Sequence, residues 1–325
     1  MDVELYKSVV EPVESELSEF KRHFHGLFVT NDSFVRPLLD MLSRKDGKML
    51  RPLLVLLTGK YFGFPTTRLY NLASSLELLH TSSLIHDDIV DNSMLRRGEP
   101  SVNAVYDNKI AVLLGDYVVA MSLSEMYATG VVRNFGFFSE LSRTLSSGEI
   151  TQLFIRSAED LSEESYLDII TRKTACLFSC CARLASITCG ASDELSDQFA
   201  SFGKYAGICF QIKDDIFDYF DSPETGKPSG NDLSEGKITL PAIYAIRNSS
   251  DDWSQMVRDI RSCTATPDQL RTVAAFTVEN GGIEYAEDCM MQYKEKALAC
   301  LPSDMPSGLR KAFESYLLLI VNRNS

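Results

Sequence analysis

Long hydrophobic runs are absent from this sequence. The longest uninterrupted ones, such as residues 53–57 and 316–321, are far shorter than the ~20 apolar residues of a membrane-spanning helix. The first residues are acidic and lack the basic and then apolar pattern of a secretory signal. We therefore expect a cytoplasmic protein without a transmembrane segment.

Positive charge is also scarce. The chain has 32 Lys and Arg against 45 Asp and Glu, which gives a formal net charge of −13. Nucleic acids and anionic membrane surfaces attract basic patches, so neither is expected to be the main partner. An anionic phosphate substrate stays compatible with this charge if a metal ion supplies the positive counterpart.

Cysteine pairs, linkers and strand patterns are missing as well. None of the eight cysteines forms a CxxC pair, and three of them (Cys176, Cys180 and Cys181) fall at helical spacing, which favours small buried thiols over a metal site or disulfides. No Pro-, Gly- or Ser-rich linker divides the 325 residues, and no sustained alternation indicates strands. With 45% hydrophobic residues, the chain is expected to form a single all-α domain, residues 1–325.

Two copies of one acidic pattern stand out from this background. Asp87-Asp88-Ile89-Val90-Asp91 and Asp214-Asp215-Ile216-Phe217-Asp218 share the spacing Asp-Asp-x-x-Asp, each in an apolar stretch of helical periodicity. Residues three and four apart share a helix face, so each motif gathers carboxylates within about one turn. Repelling carboxylates with oxygen ligands suit Mg²⁺ that bridges to a substrate phosphate. The motifs predict a diphosphate-binding metal site; a solvated acidic face would explain either motif alone but not the matched pair.

Helical stripes lead into both motifs. One stripe advances by threes and fours to Asp91, through Leu72, Leu76, His80, Ser83 and Asp87. A second reaches Asp215 through Gly203, Gly207 and Gln211, and glycines on a helix face indicate a close approach by a neighbour. The glycine-rich stretch 220–239 follows directly, and we interpret it as a lid over the site, with a solvated surface loop as the alternative.

Basic residues surround the motifs in sequence. They are Lys48 and Arg51 near a helix start, Arg96 and Arg97 after the first motif, Lys173 in mid-chain, and Lys227 and Lys237 in the expected lid. Each alone is typical of ordinary surface charge. Together with the acidic motifs they fit two diphosphates held by Lys, Arg and metal.

These residues belong to ordered motifs that resemble the trans-polyprenyl diphosphate synthase family from about residue 45 to 241. The motifs are Gly47-Lys48-x-x-Arg51-Pro52, Glu77-Leu78-Leu79-His80, His86-Asp87-Asp88, Arg96-Arg97-Gly98, Leu114-Gly115-Asp116, Gly148-Glu149-x-x-Gln152, Lys173-Thr174-Ala175, Phe210-Gln211-Ile212-x-Asp214-Asp215 and Gly236-Lys237-x-Thr239-Leu240-Pro241. One departure is visible, since Asp46 and Met49 stand where the family often has Gly and Arg. This departure bears on affinity for isopentenyl diphosphate rather than on activity.

The resemblance implies an isoprenoid synthase fold, with helices around a large central cavity, and a homodimer. It implies catalytic roles for Asp87, Asp91, Asp214, Lys173 and Lys237. Three Mg²⁺ ions would be ligated by Asp87, Asp91 and Asp214 and supported by Asp88, Asp215 and Asp218. The allylic diphosphate would be held by Arg96, Lys173, Thr174, Gln211, Lys227 and Lys237, and isopentenyl diphosphate by Lys48, Arg51, His80 and Arg97.

The implied reaction is the condensation of isopentenyl diphosphate with an allylic diphosphate, with peripheral membrane contact left open for product release. Metal and basic residues would neutralise the departing diphosphate, and no protein nucleophile is needed. Three alternatives remain: a class I terpene cyclase, a metal-dependent phosphohydrolase suggested by His86-Asp87, and a non-catalytic subunit of a heteromeric synthase. The second acidic motif disfavours the cyclase. The shortage of further His ligands disfavours the phosphohydrolase, and the intact acidic ligands disfavour the non-catalytic subunit.

Small residues before the first motif bear on product length. Ser83 lies one turn, about 5.4 Å, before Asp87 on the same helix face, with Ser82 beside it. Family members with short products typically carry bulky aromatics at these positions, so a long-chain product of about thirty-five to fifty carbons is expected, with a geranylgeranyl-length product as the alternative. Met121, Leu123 and Met126 are candidates for the floor of the cavity. The serines could instead pack against a neighbouring helix.

Overall fold

The computed structural model describes residues 3–44, 47–63, 67–96, 98–155, 161–220 and 230–323. The first part of the chain forms α1 (Val3–Val10), a 3-10 turn (Glu11–Val13), α2 (Glu14–Gly26), α3 (Arg36–Ser43), α4 (Leu50–Tyr61), α5 (Thr67–Val90), β1 (Leu95–Arg96), β2 (Glu99–Pro100), α6 (Val102–Val105) and α7 (Asn108–Ala128). The strands form a two-residue antiparallel hairpin in which Arg96 pairs with Glu99.

In the remainder, each regular element among the described residues is a helix. This part of the chain forms α8 (Val132–Ile155), α9 (Glu163–Ile170), a π-helical turn (Thr171–Ala175), α10 (Cys176–Thr188), α11 (Asp193–Phe217), α12 (Asn231–Ser234), α13 (Leu240–Arg247), α14 (Ser254–Arg261), α15 (Pro267–Glu279), α16 (Gly282–Ala299) and α17 (Ser307–Val321). The predicted all-α class is confirmed.

Side-chain caps fix several helix starts. The Ser192 hydroxyl accepts the backbone N–H of Leu195, which starts α11 at Asp193. The helical spacing that leads through Gly203 and Gly207 to Asp215 predicts a helix only over residues 201–219, so the observed start is earlier. At α15, Thr266 and Gln269 form a reciprocal capping box, and the observed helix has the bounds 267–279 that the sequence periodicity predicts. The terminal helices α1 and α2 were not predicted, and they bury Val9 and Phe20 in the core.

Glycines allow α11 to lie against the backbone of α10. A Cβ added at Gly207 would be 2.6 Å from the Ala175 Cα atom, and one added at Gly203 would overlap the carbonyl group of Phe178. No rotamer change relieves a clash with backbone, so both positions require glycine. The close approach predicted from the sequence is confirmed, and it seats α11 directly against the π-helical turn.

Polar contacts join α5 to α7. The Ser75 hydroxyl donates to the Ser122 carbonyl oxygen at 2.8 Å, and the Ser82 hydroxyl donates to the Gly115 carbonyl oxygen at 3.0 Å. A Cβ at Gly115 would overlap the His86 ring, so this glycine permits the helices to meet. The helix α7 therefore fixes the side of α5 that precedes the first acidic motif.

Helix α7 bears on the expectation that the chain has no transmembrane segment. By length and composition alone, judged over its most apolar window of 18 residues, it is long and apolar enough to cross a membrane. A third of that window is buried in the fold. Core helices of globular proteins share this length and composition.

The hydrophobic core consists of one large cluster and one small cluster. The large one extends from α1 to α17 and includes the fully buried Phe178, Phe202 and Tyr316. The small one lies under α12 to α15 and includes Leu233 and Ile260. The segment that carries Lys237 thus has apolar support of its own.

Candidate active site

The first acidic motif lies at the C-terminal end of α5 and divides its carboxylates between two directions. Asp91 follows the helix, and its backbone N–H donates to the Asp87 carbonyl oxygen at 2.8 Å, which continues the last turn. The buried Asp88 carboxylate accepts Nε of Arg96 at 2.9 Å and Nη2 at 2.5 Å. Arg96 on the hairpin therefore occupies Asp88, while Asp87 and Asp91 remain together on another face.

Electrostatics distinguish Asp87 from an ordinary surface carboxylate. The pKa of Asp87 is raised to about 6, chiefly by burial; Lys173 and Arg96 act to lower it, and Glu149 and Asp91 act to raise it. Desolvation and the two neighbouring carboxylates together outweigh the two basic groups. Oxygen ligands with excess negative charge in a partly desolvated place are the donor set that Mg²⁺ prefers.

The π-helical turn between α9 and α10 presents Lys173 and Thr174. Lys173 Nζ lies 2.5 Å from a Glu149 carboxylate oxygen and donates to the Gln152 side chain at 3.0 Å. The Thr174 hydroxyl donates to Gln211 of α11 at 2.7 Å. Single π turns within helices are frequent at functional sites, and this one brings two predicted residues toward the second motif.

The second acidic motif ends α11, and each of its carboxylates has a different partner. Asp214 accepts Nη2 of Arg323 at 2.6 Å. The buried Asp215 accepts the Tyr166 hydroxyl at 2.6 Å and the Gln211 amide at 2.8 Å. Burial raises the pKa of Asp215 to about 7 even though these two hydrogen bonds act to lower it.

Asp218 is hydrogen-bonded to the described part of the expected lid. Its two carboxylate oxygens accept the backbone N–H groups of Asn231 at 3.1 Å and of Asp232 at 2.9 Å. Residues 221–229, which include Lys227, lie outside the described residues. The second motif is thereby tied to the segment that leads to Lys237.

Lys237 links that segment to the first motif. Its Nζ lies 2.5 Å from a Glu235 carboxylate oxygen and 3.5 Å from one of Asp91. Burial acts to lower the pKa of Lys237, but Glu235 and Asp91 outweigh it and raise that pKa above its usual value. A charged ammonium group therefore stands between the second motif's helix and the first motif.

Two cavities are lined by eight of the predicted residues, although Asp87, Asp91 and Asp214 line neither. One, of about 170 Å³, is lined by Lys173, Thr174, Gln211, Asp215 and Lys237. The other, of about 150 Å³, is lined on its polar side by His80, Asp88 and Arg96. The residues assigned by resemblance to the allylic diphosphate thus come together, with Arg96 apart from them.

The remaining predicted residues lie around α4 or outside the described part. Lys48 is partly buried ahead of α4, next to Met49, whose φ of 50° places it in the left-handed region. The Arg51 guanidinium carbon lies 4.8 Å from the Phe178 ring centroid. Arg97, the remaining residue assigned to isopentenyl diphosphate, lies outside the described residues.

Sequence reasoning missed several residues of the site. Glu149 and Gln152 were recognised as a motif without a role, and their spacing of three now explains how both reach Lys173. Tyr166 lies two helical turns before Lys173, but nothing in the sequence pairs it with Asp215. Arg323 is distant from both motifs in the chain and carries no local signal.

The acidic residues expected to bind metal are not arranged as a ready-made cage within the described part of the chain. Across the described ranges, no group of three or more Asp, Glu, His or Cys side chains converges on one point. Mg²⁺ commonly binds through one or two carboxylates and completes its shell with water and substrate phosphate. The pair Asp87 and Asp91, with Asp214 on a separate helix, fits that mode.

Comparison with known proteins identifies the family. The polyprenyl synthetase family model matches residues 32–276. The octaprenyl diphosphate synthase of Escherichia coli is 32% identical over 279 residues, which are 86% of each chain. The geranylgeranyl pyrophosphate synthase structure from Bacteroides thetaiotaomicron has a TM-score of 0.86 at 41% identity and covers 99% of this chain and 100% of its own.

A further solved structure, polyprenyl synthase from Caulobacter crescentus complexed with calcium and isoprenyl diphosphate, has a TM-score of 0.91 at 29% identity, with 98% of both chains covered. These neighbours share the whole course of the chain, so the isoprenoid synthase fold expected from the motifs is confirmed. The protein belongs to the polyprenyl synthetase family.

Proposed function

We propose that this protein condenses isopentenyl diphosphate with an allylic diphosphate to form a long-chain all-trans polyprenyl diphosphate. One observation carries the proposal: Lys237 lies 3.5 Å from Asp91 and lines one cavity with Lys173 and Asp215. Acidic groups for a cation and basic groups for a diphosphate therefore meet at one place. The octaprenyl diphosphate synthase relative supports the same reaction class.

Mg²⁺ fits the acidic residues, with Asp87, Asp91 and Asp214 as its direct ligands. Asp88, Asp215 and Asp218 already accept hydrogen bonds from Arg96, Tyr166 and backbone N–H groups, which suits them to support the ligands. When bound, three Mg²⁺ ions would neutralise charge on the departing diphosphate. The calcium in the Caulobacter crescentus structure is consistent with a divalent cation in this family.

The chain's own residues bind and orient the two substrates. Lys173, Thr174, Gln211 and Lys237 would hold the allylic diphosphate in the cavity they line, with Arg96 and Lys227 completing its contacts. Lys48, Arg51, His80 and Arg97 would hold isopentenyl diphosphate. The allylic carbon–oxygen bond breaks, the isopentenyl double bond attacks that carbon, and the proton lost afterwards goes to the released pyrophosphate.

The product length is proposed from the small residues before the first motif. The buried Ser82 donates to α7, so it serves the helix contact, whereas the half-buried Ser83 donates to the His80 carbonyl oxygen within its own helix. Ser83 is therefore the residue past which the growing prenyl tail would run, toward a cavity floor that includes Met121. A geranylgeranyl-length product is the second candidate, because the Bacteroides thetaiotaomicron synthase is 41% identical.

We propose a homodimer built on α7 and α8. Large apolar side chains on these helices are exposed, with Leu113 at 64%, Tyr127 at 78% and Phe154 at 73%. Exposed apolar surface of this extent on neighbouring helices is typical of a protein interface. A single domain over residues 1–325, the cytoplasmic location and peripheral membrane contact for product release stay predictions.

The decisive experiment incubates the purified protein with labelled isopentenyl diphosphate and geranyl, farnesyl or geranylgeranyl diphosphate in turn, with Mg²⁺ or with chelator. Chromatography of the products gives the primer and the chain length. Asp87→Asn should abolish condensation, whereas the matched change Asp288→Asn, on the exposed face of α16, should not. Hydrolysis or cyclisation of the primer without chain extension would overturn the proposal.

A further inference from the structure

Arg323 follows α17 and is buried against the second acidic motif. Its Nη2 atom donates to the Asp214 carboxylate at 2.6 Å and to the Phe210 carbonyl oxygen at 2.7 Å. Its guanidinium carbon lies 3.9 Å from the Phe210 ring centroid and 5.5 Å from that of Phe217. Only 8% of the side chain is exposed, so three sides of the guanidinium are fixed by α11.

The two side chains of the Arg323–Asp214 ion pair differ in their exposure to solvent. The Asp214 side chain is 46% exposed although its arginine partner is buried. Arg323 contacts Oδ1 of Asp214, and the exposed part of the carboxylate stays accessible to a second partner. An arginine that holds one oxygen of a carboxylate restricts how the other oxygen is presented.

Phe210 also connects Arg323 with Arg51. The Arg51 guanidinium carbon lies 5.8 Å from the Phe210 ring centroid, so one ring lies near two guanidinium groups. Two like charges around one ring repel each other, and the Asp214 carboxylate offsets this repulsion only on the Arg323 side. Arg323 therefore shares one aromatic ring with Arg51, a residue expected to bind isopentenyl diphosphate.

We propose that Arg323 is a positioning residue of the active site, which holds the Asp214 carboxylate in the orientation that binds the divalent cation and its diphosphate. This inference rests on the proposed function for the identity of the ligand. The competing explanation is that Arg323 only anchors α17 to α11. Only the positioning role predicts that metal affinity falls in a variant whose fold is unchanged.

The test compares Arg323→Gln and Arg323→Lys with Arg310→Gln. Arg310 is a matched control because it lies on α17 and its Nη2 donates to the backbone carbonyl oxygen of Pro302, with no carboxylate partner among the described residues. Mn²⁺ affinity is measured by electron paramagnetic resonance in the presence of inorganic pyrophosphate, and urea unfolding is measured for each variant. Arg323→Gln should weaken Mn²⁺ binding about tenfold, as loss of a group that orients a ligand does.

The conservative change and the double variant separate positioning from charge. Arg323→Lys retains the charge but not the planar fork, so it should restore the unfolding midpoint more fully than it restores Mn²⁺ affinity. If Arg323 acts through Asp214, Arg323→Gln should add little further loss of affinity to Asp214→Asn. If Arg323→Gln does not fold, Arg323→Lys carries the comparison alone.

Unchanged or tighter Mn²⁺ binding in Arg323→Gln would overturn the inference, because removal of a nearby positive charge without loss of orientation favours a cation. Equal losses in Arg323→Gln and Arg310→Gln would likewise overturn it. Failure of the wild-type protein to condense substrates would count against the proposed function alone, since the Mn²⁺ comparison does not depend on turnover.

Discussion

The contact between α11 and the π-helical turn gives a prediction for Gly207→Ala. The added Cβ would be 2.6 Å from the Ala175 Cα atom and 3.0 Å from its Cβ atom. Carbon atoms in contact lie about 3.5–4.0 Å apart, so the helices must separate by roughly 1 Å. Such overpacking costs about 1–3 kcal/mol, and the better helix propensity of Ala returns about 1 kcal/mol. We expect a net loss of up to about 2 kcal/mol in the free energy of unfolding.

The same displacement should reach the active site. Ala175 is adjacent to Thr174, which donates to Gln211 at 2.7 Å, and Lys173 lies on the same turn. Gly207→Ala should therefore raise KM for the allylic substrate as well as lower stability. Gly203→Ala meets the carbonyl group of Phe178 further along α10, so it should lower stability with a smaller effect on KM.

The control is Gly136→Ala in α8, where an added Cβ meets nothing within 4 Å. This change should stabilise the protein by up to about 1 kcal/mol, since only the propensity term remains. Urea unfolding and steady-state kinetics are measured on all three variants. If Gly207→Ala proved as stable as Gly136→Ala, the close approach of α11 to the turn would be refuted.

Three further predictions follow from the site. Tyr166→Phe removes a 2.6 Å hydrogen bond to the buried Asp215 and should cost about 1–3 kcal/mol in urea unfolding; no loss would contradict the assigned contact. The raised pKa values of Asp87, about 6, and Asp215, about 7, favour the protonated folded state. In chelator, their stabilisation is complete below the unfolded pKa of about 3.8 and is lost as pH rises through 6 to 7, so the urea midpoint should fall over that window, less so in Asp87→Asn. Ser83→Phe should shift the product toward fifteen or twenty carbons by chromatography while condensation continues, and an unchanged long product would refute the proposed path of the tail.

Local periodicity predicted much of the helical framework but not its edges. Helix α15 agreed because Pro267 and the cap at Thr266 mark its start in the sequence. Helix α2 was missed although Leu17, Phe20 and Phe24 keep helical spacing, since these apolar positions lie in a mostly polar segment. The start of α11 was placed too late because its first turns bury few apolar residues, and its Ser192 cap was not recognised.

The same distinction between local patterns and distant contacts applies to the active site. The acidic motifs and the basic residues could be found because each is a short pattern whose chemistry depends on spacing within one helix turn. The partners that orient them come from elsewhere in the chain, as with Tyr166 on Asp215 and Arg323 on Asp214. Such pairings depend on how helices cross, which no local spacing encodes.

The π-helical turn has a consequence for the helical register of this region. An α-helix advances 100° per residue, so one additional residue within a turn rotates everything that follows by about that angle. Tyr166 before the turn and Thr174 within it both donate to side chains of α11, at Asp215 and Gln211. Deletion of a single residue between 171 and 175 would restore regular α-helical hydrogen bonding, yet α9 and α10 could no longer both keep their contacts with α11. The irregular turn therefore acts as a register shift that sets the direction of Lys173.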